Sequence, residues 1–165
     1  NKVLNSSGVQ LITSNPDFVI IEGSLARSIL NNATAIDNFT TATLHQLNNY
    51  YTSFIGQCNF YQIIGFASVK ASLRPDRRLQ IPHEGSLMKA IYTHLQTRKW
   101  IIAPPGLKYY AISTRIGQPD RDALNTVATH SITTVSSLPQ AAVDEVFEVN
   151  SIQQAQAAFQ QILNV

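Results

Sequence analysis

The 165-residue sequence has few charged residues, one cysteine and no long hydrophobic run, and each shortage excludes a class of protein. Charged residues make up 13% of the chain and hydrophobic residues 44%, a balance that argues against intrinsic disorder. No apolar run reaches the roughly 18 residues that a membrane-spanning helix needs. Cys58 is the only cysteine, so it has no partner for an internal disulfide, and a reducing compartment fits the chain best.

The length fits one domain, because domains average roughly 100–200 residues. No internal repeat, low-complexity tract or long linker divides the chain, so we take residues 1–165 as one continuous domain. The first residue is Asn1 rather than methionine, and we therefore expect a fragment or a processed product of a longer protein.

Positive charge is concentrated in the middle of the chain. Residues 70–121 carry ten of the twelve basic residues and three of the ten acidic residues, a net charge of +7. Residues 1–69 have a net charge of −1 and residues 122–165 one of −4, so the overall value of +2 hides this asymmetry. A basic band of this kind is typical of a protein that binds a polyanion. A solvated, charge-rich surface explains the band equally well.

Strand and helix signals alternate along the chain, which predicts an α/β or α+β architecture. Apolar, β-branched runs at residues 9–13 and 18–22 flank a turn signal and predict a hairpin. Residues 60–73 form the best candidate for a long strand, and its two apolar faces place it in the middle of a sheet. On that strand we expect Ile64 and Phe66 to share one face, opposite Ala67.

The remaining elements are predicted from caps and periodicity. Thr34 is the expected N-cap of a helix that has an apolar stripe through Leu44, Leu47 and Tyr51 and stops near Gly56. Pro82 is expected to precede a helix over residues 83–97. Further helices are predicted at residues 122–129 and 152–163, with residues 143–149 ambiguous between helix and strand. Two strands at residues 100–103 and 109–113 are expected to be joined by a turn.

Three features that suit phosphodiester hydrolysis follow one another along the chain. Asp17 begins a predicted strand, Lys70 lies on a buried strand where a lysine is out of place, and Glu84 begins the following helix. Metal-assisted hydrolysis needs carboxylates that hold a divalent ion, and it benefits from a lysine that orients or activates water. Mg²⁺ takes one or two protein carboxylates. On a strand Ser68 shares the face of Lys70, and the backbone carbonyl of Val69 is an additional candidate ligand.

Each of these residues also has an ordinary structural interpretation. Asp17 suits a turn, Lys70 can extend from a strand end to water, and the helix dipole favours Glu84 in a first turn. Both the catalytic and the structural interpretations fit these residues.

The basic sequence RPDRR at residues 74–78 follows the lysine by a few positions and adds a further signal. Arginine reads guanine through its O6 and N7 acceptors, and a carboxylate accepts a hydrogen bond from cytosine N4. The side chains of Arg74, Asp76 and Arg77 therefore suit G·C pairs in a major groove. The alternative is a charged surface turn with internal Arg–Asp pairing.

The segments LITSNPD at residues 11–17, SVK at 68–70, LRPDRRLQ at 73–80 and HEG at 83–85 resemble the CCGG family of type II restriction endonucleases. The likeness is strongest to the tetrameric enzymes that cut RCCGGY sequences, and it covers nearly the whole chain, most weakly over residues 23–59. It implies a rearranged PD-(D/E)XK nuclease core, which is an α/β fold with a mixed central sheet flanked by helices. It also implies Mg²⁺-dependent cleavage of double-stranded DNA at a CCGG-containing site, leaving 5′ overhangs.

The resemblance assigns roles to particular residues. Asp17 and Glu84 would be the Mg²⁺ ligands and Lys70 the catalytic lysine. Ser68 occupies the position at which most such nucleases have an acidic residue, and Glu84 would take the metal-binding role of that residue. The base-reading residues would be Arg74, Asp76 and Arg77.

The resemblance also implies an assembly, a location and a place in a longer chain. Relatives have a contact between dimers near the end of the helix that carries the glutamate, which makes Trp100 a candidate interface residue of a homodimer or tetramer. They are cytoplasmic bacterial enzymes. They carry an upstream helical region with a further carboxylate, so residues 1–165 would be the catalytic C-terminal part.

Two other classes of function remain open from the residues alone. In the first, the helix ending near Thr97 and a hairpin over residues 100–113 form a winged-helix-like DNA-binding module without catalysis. In the second, the basic band contacts an acidic protein partner in an assembly domain. Only the nuclease needs a metal, and only the two DNA-binding functions predict steep salt dependence.

Overall fold

A four-stranded mixed sheet forms the centre of the fold. The computed structural model describes residues 8, 14–34, 36–38, 40–101, 106–133 and 138–164. The strands lie in the order β1 (Phe18–Ile21), β2 (Ile63–Lys70), β3 (Lys108–Ser113) and β4 (Glu145–Glu148). Strand β1 pairs antiparallel with β2, whereas β2, β3 and β4 run parallel to one another. The predicted α/β class with a mixed sheet is confirmed.

Helices flank this sheet. The helices are α1 (Gly23–Ile29), α2 (Thr41–Phe54), α3 (Pro75–Thr97), α4 (Gln118–Leu124) and α5 (Ile152–Leu163). Short 3₁₀ turns lie at Phe60–Gln62 and Thr129–Thr133. Among the described residues, no helix is long and apolar enough to cross a membrane.

The two faces of the sheet carry two hydrophobic clusters. Side chains of β3 point alternately to the two faces of the sheet, so that Tyr109 and Ala111 belong to one cluster while Tyr110 and Ile112 belong to the other. The first cluster packs against α3 and α4 and contains Leu73, Ile81, Tyr109, Ala111, Ile116, Leu124 and Val143. The second packs against α5 and contains Ile20, Ala67, Tyr110, Ile112 and Ile162. Strand β3 is therefore covered on both faces, as is usual for a strand with parallel neighbours.

Strand β2 is internal to the sheet, as its apolar faces predict. Its face assignment at Ile64 is wrong, because Ile64 packs with the second cluster while Phe66 packs with the first. The pairing with β1 explains the difference. Ile20 pairs with Gly65 and Ile21 with Ile63, so Ile64 is the extra residue of a bulge. A bulge of this kind reverses the expected alternation of side chains on one side of it.

Helix α3 begins earlier than predicted. It starts at Pro75, and Pro82 lies inside it rather than before it. Proline is favoured in the first turn, where its missing N–H would be unpaired anyway. Pro82 forgoes one backbone hydrogen bond within the helix, and its ring is buried in the fold. The helix ends at Thr97 as predicted, and its buried face includes the polar residues Lys89 and Gln96.

The prediction that Thr34 caps the second helix is also wrong. The N-cap of α2 is Thr40, which forms a reciprocal capping box with Thr43. None of the α2 residues is buried in this chain, so the apolar stripe through Leu44, Leu47 and Tyr51 faces outward. The predicted stop is confirmed, since Gly56 follows the helix with a φ of 77°. Helix α1 was not predicted.

The segment after α3 does not begin a strand at Trp100. The N–H of Ile101 donates to Gln96 and that of Trp100 to Thr97, which is the Schellman pattern that ends a helix. Trp100 takes the left-handed position of this motif, with a φ of 60°. Residues 9–13 and 102–105, which were predicted to form strands and a turn, lie outside the described residues.

The C-terminal predictions are mixed. Helix α4 covers residues 118–124 rather than 122–129, because Gly117 and Pro119 begin it earlier. The ambiguous segment 143–149 contains strand β4, and α5 has the predicted bounds.

The hairpin over residues 100–113 needed by a winged-helix-like module is contradicted. Both neighbours of β3 are parallel to it, whereas a hairpin partner would be antiparallel.

Candidate active site

Asp17 and the end of β2 form one cluster, although more than fifty positions of sequence separate them. The Oδ2 atom of Asp17 accepts hydrogen bonds from the Val69 backbone N–H at 2.7 Å and the Lys70 ammonium at 3.0 Å. Ser68 donates a longer one at 3.4 Å. The antiparallel pairing of Phe18 with Ala67 places Asp17 beside this strand end. The structure therefore brings together four of the residues that the sequence singled out.

The cluster favours the charged form of Asp17. Partial burial raises the pKa of this carboxyl, but the hydrogen bond from Val69 and the proximity of Lys70 outweigh that effect. The resulting pKa lies below the ordinary value of 3.8. Asp17 is thus anionic near neutral pH.

Glu84 lies on α3 and contacts Tyr109 of β3. The Tyr109 hydroxyl donates to Oε2 of Glu84 at 3.1 Å, and the Gln80 side chain donates to Oε1 at 2.6 Å. Ser68 and Asp17 are also close enough to affect the pKa of the Tyr109 hydroxyl. Tyr109 therefore lies between Glu84 and the Asp17 cluster.

Tyr109 is a site residue that the sequence reasoning missed. Its side chain is fully buried, and its burial together with the charge of Glu84 raises the pKa of the phenol well above its ordinary value. The hydroxyl is consequently a permanent hydrogen-bond donor at neutral pH. In the sequence, Tyr109 is one of several aromatic residues in an apolar strand, so no local signal distinguishes it.

The donor set fits a magnesium ion. The Oδ1 atom of Asp17 accepts no hydrogen bond from the described residues, and each Glu84 oxygen accepts one and so retains a lone pair. Carboxylate oxygens are the ligands that Mg²⁺ prefers, and one or two of them suffice when water and phosphate complete the octahedron. Across the described ranges, no cluster of three or more His, Cys, Asp or Glu side chains is placed to hold a metal. Asp17 and Glu84 would therefore hold the ion as two carboxylates, with the other positions left to water and phosphate.

The RPDRR segment lies at the start of α3, a few residues after Lys70. The side chains of Arg74, Asp76 and Arg77 line a surface cavity of about 280 Å³ that also includes Lys70. Asp76 and Arg77 are 3.8 Å apart and both remain partly exposed, so their pairing is loose. Arg78 differs, because it forms a close ion pair with the buried Asp120 of α4.

A second polar network lies beneath the site and was not predicted. The buried Lys89 of α3 donates to Asp144 at 2.6 Å and to the Ala141 carbonyl at 2.6 Å. Asp144 also accepts from the Tyr109 backbone N–H at 2.7 Å and from Lys108 at 3.3 Å. Burial lowers the pKa of Lys89, and the proximity of Asp144 partly offsets this. The network joins α3 to β3 at the backbone of Tyr109.

A mixed sheet that brings an aspartate, a strand-end lysine and a helix-borne glutamate together defines a protein of the restriction-endonuclease-like class. The family model described as Cfr10I/Bse634I restriction endonuclease matches residues 1–165. The chain belongs to this family, which confirms the resemblance found in the sequence.

Individual relatives agree with the assignment. The chain is 49% identical over 164 residues to the type II restriction enzyme Cfr10I of Citrobacter freundii, covering 98% of this chain and 58% of the relative. It superimposes on the Bse634I restriction endonuclease with a TM-score of 0.86 at 36% identity, covering 98% of this chain and 56% of the other. A structure described as the type IIF restriction endonuclease Bse634I with cognate DNA superimposes on the chain with a TM-score of 0.83 at 35% identity. The chain thus spans somewhat more than half the length of these relatives.

Proposed function

We propose that this chain is the catalytic domain of a type II restriction endonuclease. It hydrolyses double-stranded DNA with Mg²⁺ at a CCGG-containing site, for which RCCGGY is the expected sequence, and leaves 5′ overhangs. The observation that carries the proposal is the convergence of Lys70, Ser68 and the Val69 N–H on one oxygen of Asp17. A surface ion pair alone would not need a buried serine and a backbone donor on the same atom.

Each residue of the cluster has a distinct role in this proposal. Asp17, Glu84 and the Val69 carbonyl would hold the magnesium ion, which supplies Lewis-acid stabilisation of the charge that develops on the phosphate. Ser68 and the Val69 N–H hold the Asp17 carboxylate in one orientation. The Lys70 ammonium orients the attacking water and offsets negative charge at the scissile phosphate.

The start of α3 would read the central CCGG bases. Arg74 and Arg77 suit the O6 and N7 acceptors of guanine, and Asp76 suits the N4 donor of cytosine. Asp76 and Arg77 are exposed enough to reach a groove, since 70% and 41% of their side-chain surfaces are accessible. Arg78 is excluded from this role because its guanidinium is occupied by Asp120.

The proposal also includes an assembly and a cellular compartment. Trp100 has 91% of its surface exposed, the largest fraction among the exposed hydrophobic residues described, and so is available to a second copy of the chain. We place it at an interface of a homodimer or tetramer. A relative comes from Citrobacter freundii, and the bacterial cytoplasm is the expected compartment.

A plasmid that carries one CCGG-containing site tests the proposal. The protein is incubated with it with and without Mg²⁺, and the product ends are mapped. We expect linear products with 5′ overhangs at the site only when Mg²⁺ is present. A plasmid with the central bases scrambled is the control.

The outcomes separate the candidate functions. Salt-sensitive binding of the CCGG duplex without cleavage would replace the nuclease with a non-catalytic DNA-binding module. Absence of both binding and cleavage would contradict either function for this chain. Cleavage of the scrambled plasmid would retain the chemistry and overturn the specificity.

A further inference from the structure

Tyr109 lies directly beneath Glu84 and has no accessible surface. We infer that Tyr109 is a positioning residue, whose hydroxyl fixes the orientation of the Glu84 carboxylate for metal binding. This inference rests on the proposed function, in which Glu84 is a magnesium ligand. It adds a residue that carries no charge and does not itself contact the metal.

Close packing of α3 on β3 brings the two side chains together. Gly85 follows Glu84, and a Cβ atom added at Gly85 would overlap the carbonyl oxygen of Ala142 and lie 3.1 Å from the Tyr109 ring. Only glycine therefore lets this turn of α3 approach so closely. The approach leaves the Glu84 side chain within reach of a hydroxyl at the far end of a buried ring.

The backbone of Tyr109 is held from the other side by Asp144. The Tyr109 N–H donates to Asp144 Oδ2 at 2.7 Å, and the Asp144 N–H donates to the Tyr109 carbonyl at 2.7 Å. Asp144 is in turn held by Lys89, which is on the same helix as Glu84. A closed circuit of contacts thus runs from Glu84 along α3 to Lys89, through Asp144 to Tyr109, and back to Glu84.

This circuit makes the Tyr109 hydroxyl a rigid donor. A glutamate on a partly exposed helix face samples several rotamers, and ordering it costs conformational entropy. A fixed hydrogen bond to Oε2 selects one of them before a metal binds. Outer contacts of this kind typically change metal affinity by about 10- to 100-fold when they are removed.

Magnesium binding by the Tyr109→Phe protein tests the inference. The substitution keeps the buried ring and removes the hydroxyl, whereas Tyr110→Phe does the same on the opposite face of the sheet, away from Glu84. Binding is measured by calorimetry with Mg²⁺ alone, without DNA, so that the readout does not depend on cleavage. We expect about 10-fold weaker binding for Tyr109→Phe and unchanged binding for Tyr110→Phe.

A double-mutant cycle with Glu84→Gln separates positioning from general stabilisation. If the hydroxyl acts through the carboxylate, Tyr109→Phe should weaken Mg²⁺ binding in the wild-type background and have no further effect beside Glu84→Gln. Thermal unfolding of each variant checks that all of them fold. A variant that loses binding only because it is unfolded would overturn the inference, since the hydroxyl would then serve the fold.

The result also distinguishes failure of the inference from failure of the proposed function. Equal Mg²⁺ affinities of wild type, Tyr109→Phe and Tyr110→Phe would overturn the role of Tyr109 and leave the magnesium site intact. A wild-type protein that binds no Mg²⁺ would instead overturn the proposed function, and the role of Tyr109 with it.

Discussion

Two lysine–aspartate pairs in this protein have the same chemistry and different surroundings. Lys70 and Asp17 are 3.0 Å apart at an open strand end, with 21% and 40% of their side chains accessible. Lys89 and Asp144 are 2.6 Å apart beneath the sheet edge, with 2% and 20% accessible. Exposed pairs contribute little to stability, whereas breaking a buried pair leaves an uncompensated charge in the interior. Burial therefore assigns the second pair to architecture and leaves the first pair accessible for the chemistry proposed above.

The strongest test of this contrast is removal of the site lysine. Lys70→Ala should lower the rate of DNA cleavage by about 10²–10³-fold, the range typical for loss of one group that stabilises developing charge. Binding of the CCGG duplex should persist, and the free energy of unfolding should change by about 0–1 kcal/mol. Cleavage kinetics and urea unfolding measure the two quantities.

A matched control for this variant is Lys99→Ala. Lys99 lies over the Phe60 ring, which precedes the opposite end of β2, so the same charge is lost away from the site. Full cleavage activity in the Lys70→Ala protein would remove Lys70 from the mechanism.

Removal of the buried lysine should lower the stability of the fold, whereas removal of the site lysine should lower cleavage. Lys89→Met keeps the length of the side chain and leaves Asp144 without its closest cation, so we expect the free energy of unfolding to fall by about 3 kcal/mol or more. Lys108→Met removes the other, exposed partner of Asp144 and should cost only about 0–1 kcal/mol. Equal losses for the two variants in urea unfolding would show that burial does not distinguish them.

Two arginines of the RPDRR segment differ in the same way, since Arg74 is proposed to read DNA whereas Arg78 is paired with the buried Asp120. Arg74→Ala should weaken discrimination of the cognate site by about 1–3 kcal/mol without affecting folding. Arg78→Ala breaks the contact with buried Asp120 and should instead lower stability, by about 1–3 kcal/mol. Duplex-binding assays and thermal unfolding separate these effects, and a stable Arg78→Ala protein with relaxed specificity would reverse the assignment.

The smallest expected effect is the pH dependence of the exposed pair. The pKa of Asp17 is lower in the folded than in the unfolded chain, so its contribution to stability is present above the unfolded value near 3.8. That contribution disappears as the pH falls through the lowered folded value. The difference in unfolding temperature between wild type and Asp17→Asn should therefore shrink as the pH falls below about 4. If the difference in unfolding temperature grew on acidification, the pKa of Asp17 would not be lowered by folding.

Elements with a local signal were predictable in this chain. Helix α5 has both predicted bounds, because Ser151 caps a strongly amphipathic segment. Strand β2 was recognisable from its length and its apolar faces. Predictions were wrong where tertiary contacts outweighed the local signal, as at Pro82, which stays within a helix that packs on the sheet.

The candidate site was predictable to the same extent. Asp17 and Lys70 are charged residues at strand ends, and a charged residue in an apolar context is visible in a sequence. Glu84 was expected to begin a helix, but it lies within α3, which starts at Pro75. Tyr109 and Lys89 were not, because one is an aromatic in an apolar strand and the other lay within a predicted surface of positive charge. Their roles depend on which partner the fold brings to them.

The sequence by itself determined the family, the positions of the acidic and basic residues and the main strand and helix signals, since these depend on residue type and short-range spacing. Only the tertiary structure decided which lysine is exposed at the site and which is buried. It also decided that Tyr109 reaches Glu84, a contact between residues 25 positions apart, and that Lys89 meets Asp144 across 55 positions. The physical reason is that burial and hydrogen-bond partners are set by packing between distant segments, which a local pattern does not encode.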